Sequence, residues 1–262
     1  MAIPAWFTAL SPWGVGILLN TALLGLAWWL PKKLLTPAGY LHAWVLGVLV
    51  WGCLGWRGYA IVMVYFLVGS GVTKIGMKQK VAEGIAEKRG GMRGPENVWG
   101  SAFIGTLCAI AFAIVAESSE PIASMTTPIG QLCLLGYTAS FATKLSDTTA
   151  SEVGKAYGRR TFLITTLQPV PRGTEGAVSL EGTLAGMVGS LAIAGVAYGV
   201  GAIDLWGVLW CAIAAFVATN AESVIGATVQ EQWEWLTNEV VNGINTAIGA
   251  IVAIGLGWFV VQ

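Results

Sequence analysis

Residues 38–73 read AGYLHAWVLGVLVWGCLGWRGYAIVMVYFLVGSGVT, a stretch whose only charge is Arg57 and which holds the chain's only histidine, His42. A bilayer core is about 30 Å thick and takes about 20 mostly apolar residues per helix, so this run is nearly two crossings long. It is interrupted only at Gly55, Trp56, Arg57 and Gly58. That predicts spans over 38–55 and 58–73 and leaves open whether they are separate full spans. Working outward, the same criterion gives spans over 13–30, 99–116, 127–143, 182–200, 204–221 and 241–261. The expected fold class is an all-α integral membrane protein of about eight transmembrane helices. A single polytopic domain covers 1–262, and two cytoplasmic loops, about 74–98 and 144–181, form the site.

Composition points the same way. The 262 residues are 55% hydrophobic and 11% charged, whereas soluble domains carry about 25% charge. Lys plus Arg and Asp plus Glu balance at 14 each, with no basic tail, which excludes nucleic acid as a partner. One histidine rules out HExxH and any His pair, and His42 stands within an apolar run. Cys53, Cys108, Cys133 and Cys211 lie in apolar runs without CxxC spacing, as buried thiols do. The N-terminus has no basic n-region, so the first span is expected to be retained.

Lys and Arg are retained on the cytoplasmic side of a membrane. Loops on alternate sides put Lys32, Lys33, Lys74, Lys78, Lys80, Lys88, Arg89, Arg93, Lys144, Lys155, Arg159, Arg160 and Arg172 together, against Arg57 alone. Both termini are then outside and the chemistry is cytoplasmic. In KIGMKQKVAEGIAEKRGGMRGPENVWG (74–100), Met77, Val81 and Ile85 recur every four residues among charges, the pattern of an interfacial amphipathic helix; a solvated basic loop is the alternative. Gly182, Gly186, Ser190 and Ala194 form a small-residue stripe suited to helix packing.

Neither GxxxxGK[ST] nor GxGxxG occurs, so no P-loop or Rossmann site is indicated. Polar residues cluster in three places instead. In TKLSDTTASEVGKAYGRR (143–160), Asp147 or Ser146 reads as the N-cap of a following helix. The N-terminus of such a helix favours phosphate, and a carboxylate beside it suits magnesium. Lys144, Thr148, Ser151, Lys155, Arg159 and Arg160 then address a polyphosphate. A capped juxtamembrane helix would explain the basic residues but not Asp147 and Glu152 beside the membrane. In PRGTEGAVSLEGTLAG (171–186), Gly173, Gly176 and Gly182 permit an anion-binding nest with Arg172, Thr174 and Ser179, while Glu175 and Glu181 offer carboxylates; the alternative is a flexible turn. In ATNAESVIGATVQ (218–230), Asn220 and Glu222 stand at the inner end of a span, where ionisable groups usually face a site. Asn238, Asn242 and Asn245 share one face of the last helix, explained equally by a ligand or by helix-to-helix amide bonding. All three clusters fall on one membrane side, which suggests a metal-phosphate site there. Lys88, Arg89 and Arg93 join it as phosphate ligands, Glu181 and Glu222 as metal ligands beside Asp147, and Lys74, Asn220 and Asn242 as substrate contacts.

The strings SDTTASEVGKAYGRR, RGTEGAVSLEGTLAG and AESVIGATVQ resemble a membrane family catalogued as a domain of unknown function, whose plant and cyanobacterial members are phytyl-phosphate kinases. The chain is more loosely similar to CTP-dependent polyprenol, dolichol and phytol kinases, with their Asp, Gly-Lys and Ser-x-Glu-Gly elements. The resemblance implies that Asp147, Glu152 and Lys155 are catalytic, binding metal and nucleotide phosphate, and that Ser179, Glu181 and Gly182 match the Ser-x-Glu-Gly element. Glu222 stands where relatives are expected to carry Asp. The implied reaction makes phytyl diphosphate for tocopherol synthesis from phytyl monophosphate, with a nucleoside triphosphate, CTP by that likeness, as donor and Mg²⁺ as cofactor. The implied partners are that nucleotide, the isoprenoid monophosphate and membrane lipids, and the setting is a multi-pass protein of a bacterial, cyanobacterial membrane. Two other readings stay open: a kinase or cytidylyltransferase on another lipid phosphate, and a transporter. A transporter should place ionisable residues near mid-bilayer.

Overall fold

The computed structural model describes residues 11–117, 125, 127–230 and 232–261, apart from the side chains of residues 88, 260 and 261. Its long helices begin at sites legible as caps. α1 (Pro12–Trp29), α2 (Pro37–Val72) and α5 (Pro128–Tyr157) each open with proline after a hydroxyl residue. Proline at this position surrenders only an N–H that has no helical partner, and the hydroxyls of Ser11, Thr36 and Thr127 accept from the N–H three residues on. Between α2 and α5 stand the six-residue α3 (Met77–Ala82) and α4 (Pro95–Glu117). After α5 a two-stranded antiparallel hairpin, β1 (Phe162–Leu163) with β2 (Ala177–Val178), leads to α6 (Leu180–Gly199), α7 (Leu205–Thr228) and α8 (Asn238–Val261).

α2 is two crossings. Gly55 takes φ 62 and ψ −154, outside the helical region and accessible only to glycine without strain. The chain reverses there. Trp51 and Tyr59, which a straight helix would set about 12 Å apart along its axis, stack edge to face at 5.2 Å. Both far ends of α2 return to Arg93: Thr36 N donates to the Arg93 carbonyl, and the Arg93 guanidinium donates to the Tyr65 hydroxyl at 2.6 Å. The limbs 37–54 and 56–72 therefore match the spans expected over 38–55 and 58–73, and they are separate.

Six described helices, α1, α2, α4, α6, α7 and α8, are long and apolar enough to cross a membrane. With α2 counted as two limbs and the 30-residue α5 added, the described residues make eight crossings. α5 sits at the centre, against α2, α4, α6, α7 and α8, with Tyr137, Phe141 and Leu145 fully buried. The small-residue stripe packs α6 onto it: a Cβ on Gly182 would meet the Ala150 carbonyl at 2.6 Å, and one on Gly186 the Ser146 carbonyl at 3.0 Å.

Two expectations fail here. The sequence Tyr137–Val153 holds no proline or glycine, so α5 runs unbroken through Ser146 and Asp147, and neither residue caps a helix. The helix expected over 77–85 is also cut short, so Ile85 falls outside it, and one of its flanking charges is buried. α3 lasts six residues between the left-handed Gly76 and Gly84; Val81 is 63% exposed while Lys80 is fully buried.

Candidate functional site

At one end of the bundle the connections between helices close on each other. Arg172 donates to Glu83, Asn97 to Glu239, and Gly173 stands against Ile85. The Gly55 turn and Arg57, beside Met125, lie at the opposite end. The basic end holds a cavity of about 820 Å³ lined by residues from α4 to α8 and from the 84–93 and 173–179 segments.

Its floor is the C-terminal half of α5. The 3.6-residue period brings Lys144, Asp147, Thr148, Ser151 and Lys155 to the cavity. The Lys144 ammonium donates to Asp147, one turn on, and to the Asn242 amide oxygen of α8 at 2.6 Å. Glu222 of α7 lies beside both Asp147 and Lys144 and accepts from the Asn245 amide of α8. Three helices thus place two carboxylates and one ammonium together, and the Asn stripe of α8 reaches across to both signs. Asn245 is fully buried and its Oδ1 has no hydrogen-bond partner. Lys155 is half-buried at the mouth and forms no ion pair among the described residues.

The 171–182 segment supplies one wall. Gly173 and Gly176 hold φ of 85 and 73, as a nest reading requires. Gly176 is also a packing position, since a Cβ there would meet Ala227 and the Ser223 carbonyl of α7 at 2.5 and 2.6 Å. Thr174, Ser179 and Gly182 line the cavity, and the Ser179 hydroxyl caps α6 by accepting from Gly182 N at 3.1 Å. Arg89 and Arg93 complete the opposite wall, the first donating to Glu96 and Asn97, the second to Tyr65.

Other proposed residues stand apart. Arg159, Arg160 and Lys74 are exposed and line no part of the cavity; Glu181 is half-buried on the first turn of α6 and also outside it. Arg172 is tied to Glu83 and to the Ala156 carbonyl, so it clasps the 73–94 segment to the end of α5. Lys88 stands in the 88–91 turn, and its side chain lies outside the described ones. Asn220 lines the cavity while its amide donates to the Phe216 carbonyl. Glu152 also lines it but is only 1% exposed and bridges to Lys80, which donates further to the Thr73 carbonyl at 2.8 Å. Sequence reasoning missed Lys80 as a partner, because a lysine in a basic loop carries no mark of burial. His42 accepts from the Trp99 indole at 2.8 Å, joining α2 to α4.

A family model described as integral membrane protein DUF92 matches residues 20–250. The chain is 64% identical to an uncharacterized membrane protein of Synechocystis sp., over 96% of this chain and 94% of that protein. It is 44% identical to Protein VTE6, chloroplastic, of Arabidopsis thaliana, over 87% of this chain and 67% of that one. A further relative, an uncharacterized membrane protein of Methanocaldococcus jannaschii, is 30% identical over 85% of this chain and 86% of its own. No solved structure matches the chain.

Proposed function

The chain belongs to the integral membrane protein family DUF92, and on that premise we propose that it is a lipid-phosphate kinase. It transfers a phosphoryl group from a nucleoside triphosphate, CTP in this reading, to phytyl monophosphate, giving phytyl diphosphate at the cytoplasmic surface. The observation that carries the proposal is the single cavity in which Asp147 and Lys155, Thr174 to Ser179, and Glu222, from the three strings that resemble phytyl-phosphate kinases, meet Arg89 and Arg93.

The residues suit the chemistry. A phosphate monoester has a second pKa of about 6 and is already largely dianionic at neutral pH, so its attacking oxygen needs no general base. What the reaction needs is alignment of two phosphate groups and neutralisation of their charge. Lys155 is placed to meet phosphate at the mouth, and Lys144 deeper in. The backbone N–H groups around Gly173 and Gly176 offer further donors. Magnesium takes one or two carboxylates and completes its shell with water and phosphate oxygens. The neighbouring Asp147 and Glu222, with the unpartnered Asn245 Oδ1, fit that demand and would hold the ion, which when bound supplies charge neutralisation of the transferred group. Among the described residues no three His, Cys, Asp or Glu side chains converge, which is consistent with an ion shared with substrate phosphate.

The test is incubation of the purified protein in vesicles with phytyl phosphate, Mg²⁺ and each nucleoside triphosphate in turn, with the lipid product read by mass. Phytyl diphosphate is the expected product, with CTP the preferred donor. Absence of product with every donor overturns the reading.

A further inference from the structure

The cavity does not end at its polar mouth. It continues along the seam between α6 and α7, where Gly186, Met187 and Ser190 line it from one helix and Ala212, Phe216 and Thr219 from the other. Phe216 and Ala212 precede the end of α7 at Thr228 by 12 and 16 residues, about 18 and 24 Å of helix. The seam therefore reaches well into a hydrocarbon core about 30 Å thick. On its inner side the seam is backed by α5, since Gly186 stands against the Ser146 carbonyl and Ser190 is 1% exposed. Met187 and Phe216 line the same cavity yet remain 46% and 47% exposed on membrane-crossing helices. Two residues of the lining are thus also on the outer surface of membrane-crossing helices.

We infer that this seam is a tail groove, in which the hydrocarbon chain of a single-chain lipid monophosphate lies between α6 and α7 with its phosphate at the mouth beside Lys144 and Lys155. The head-group placement rests on the kinase reading; the tail placement rests on the continuity of one cavity from a charged mouth to an apolar, lipid-facing slot, the polarity profile of an amphiphile. One slot takes one chain. A tail that moves from lipid into an equally apolar groove gains little from hydrophobicity, so the groove acts on alignment and chain selection.

The probe is a phytyl monophosphate analogue with a diazirine at the chain end, cross-linked to the full chain in phosphatidylcholine vesicles and mapped by peptide mass. Label is expected within 187–190 and 212–216, competed by phytyl monophosphate and not by dioleoyl phosphatidate. Ala212→Trp overfills the slot and should cut that labelling about tenfold or more, whereas Phe216→Ala, which only widens it, should retain it. If Ala212→Trp does not insert, Met187→Trp at the exposed lip replaces it with the same expectation. Label scattered over the outer faces of α1 and α8, labelling indifferent to the tryptophan, or equal competition by the two-chain lipid overturns the groove. Groove labelling without phosphoryl transfer from any nucleotide ends the kinase reading and leaves the groove standing; transfer with label elsewhere does the reverse.

Discussion

Asp147 is held by an ammonium one turn away and faces a second carboxylate across a helix boundary, so its charge can be removed with little change of shape. Asp147→Asn keeps a partner for Lys144, which also bonds Asn242, and the protein should insert and purify normally. Turnover should fall by orders of magnitude; near-parental turnover at saturating Mg²⁺ would exclude Asp147 from the metal. Glu152 poses a different question, because the same carboxylate lines the cavity and neutralises a fully buried lysine. Removing one member of a buried ion pair typically costs about 3–5 kcal/mol, since the other charge is left uncompensated, whereas an apolar replacement of both is often tolerated. Lys80→Met should thus destabilise strongly in a thermal unfolding assay, and Lys80→Met with Glu152→Leu should recover most of the loss. A recovered protein that turns over gives Glu152 a structural role only; a recovered but inactive one makes it a site residue. Asp147 was legible in the sequence because a carboxylate beside an apolar span stands out. Lys80 was not, since its partner lies far along the chain and only the tertiary fold joins them.

At the scale of elements, the sequence is most legible where local chemistry decides the backbone. The Gly55 break and the small stripe of α6 each dictate one geometry, and each appears where the pattern puts it. It misleads where a polar residue serves two possible ends. Ser146 and Asp147 suggest a cap, but no Gly or Pro interrupts 137–153, and the Lys144 pairing within the helix joins the residues on either side, so α5 runs through them. Met77, Val81 and Ile85 suggest an interfacial helix with its charges in water, yet the helix stops at Ala82 and Lys80 is drawn inward to Glu152. The 171–182 segment shows the same dual use. Gly176 has the positive φ of an anion nest, but it also lets the segment rest directly on the α7 backbone. Gly176→Val should therefore lower thermal stability and nucleotide binding together. Gly195→Ala, at a helix position with open space for a Cβ, should change neither. A stable Gly176→Val protein with parental turnover would remove both the packing and the nest argument. Arg172→Lys should weaken the clasp to Glu83, raising protease sensitivity of the 73–94 segment with a smaller effect on turnover.

For the whole molecule, the arrangement of charge and the arrangement of chain meet in one test. Each helix start and turn alternates ends, so an even number of crossings brings the 30–36, 73–94, 158–179 and 229–237 connections to a single end, as the contacts of Arg93 with Thr36, Arg172 with Glu83 and Asn97 with Glu239 require. Thirteen of the fourteen Lys and Arg side chains belong to that end by sequence, and Arg57 alone belongs to the Gly55 turn. Retention of basic loops predicts an orientation with the cavity toward the cytoplasm, the side on which the proposed reaction would meet its nucleoside triphosphate. Had the two limbs of α2 been one crossing, the parity would change and the 74–94 and 158–179 segments would be separated from Lys32 and Lys33. With the four native cysteines replaced, Arg159→Cys and Trp56→Cys place thiols at exposed positions at opposite ends. In intact cells an impermeant maleimide should label Trp56→Cys and spare Arg159→Cys, and in inverted vesicles the preference should reverse. Labelling of both from one side would break the antiparallel reading of α2, and the reversed preference would put the cavity on the face that nucleotides do not reach.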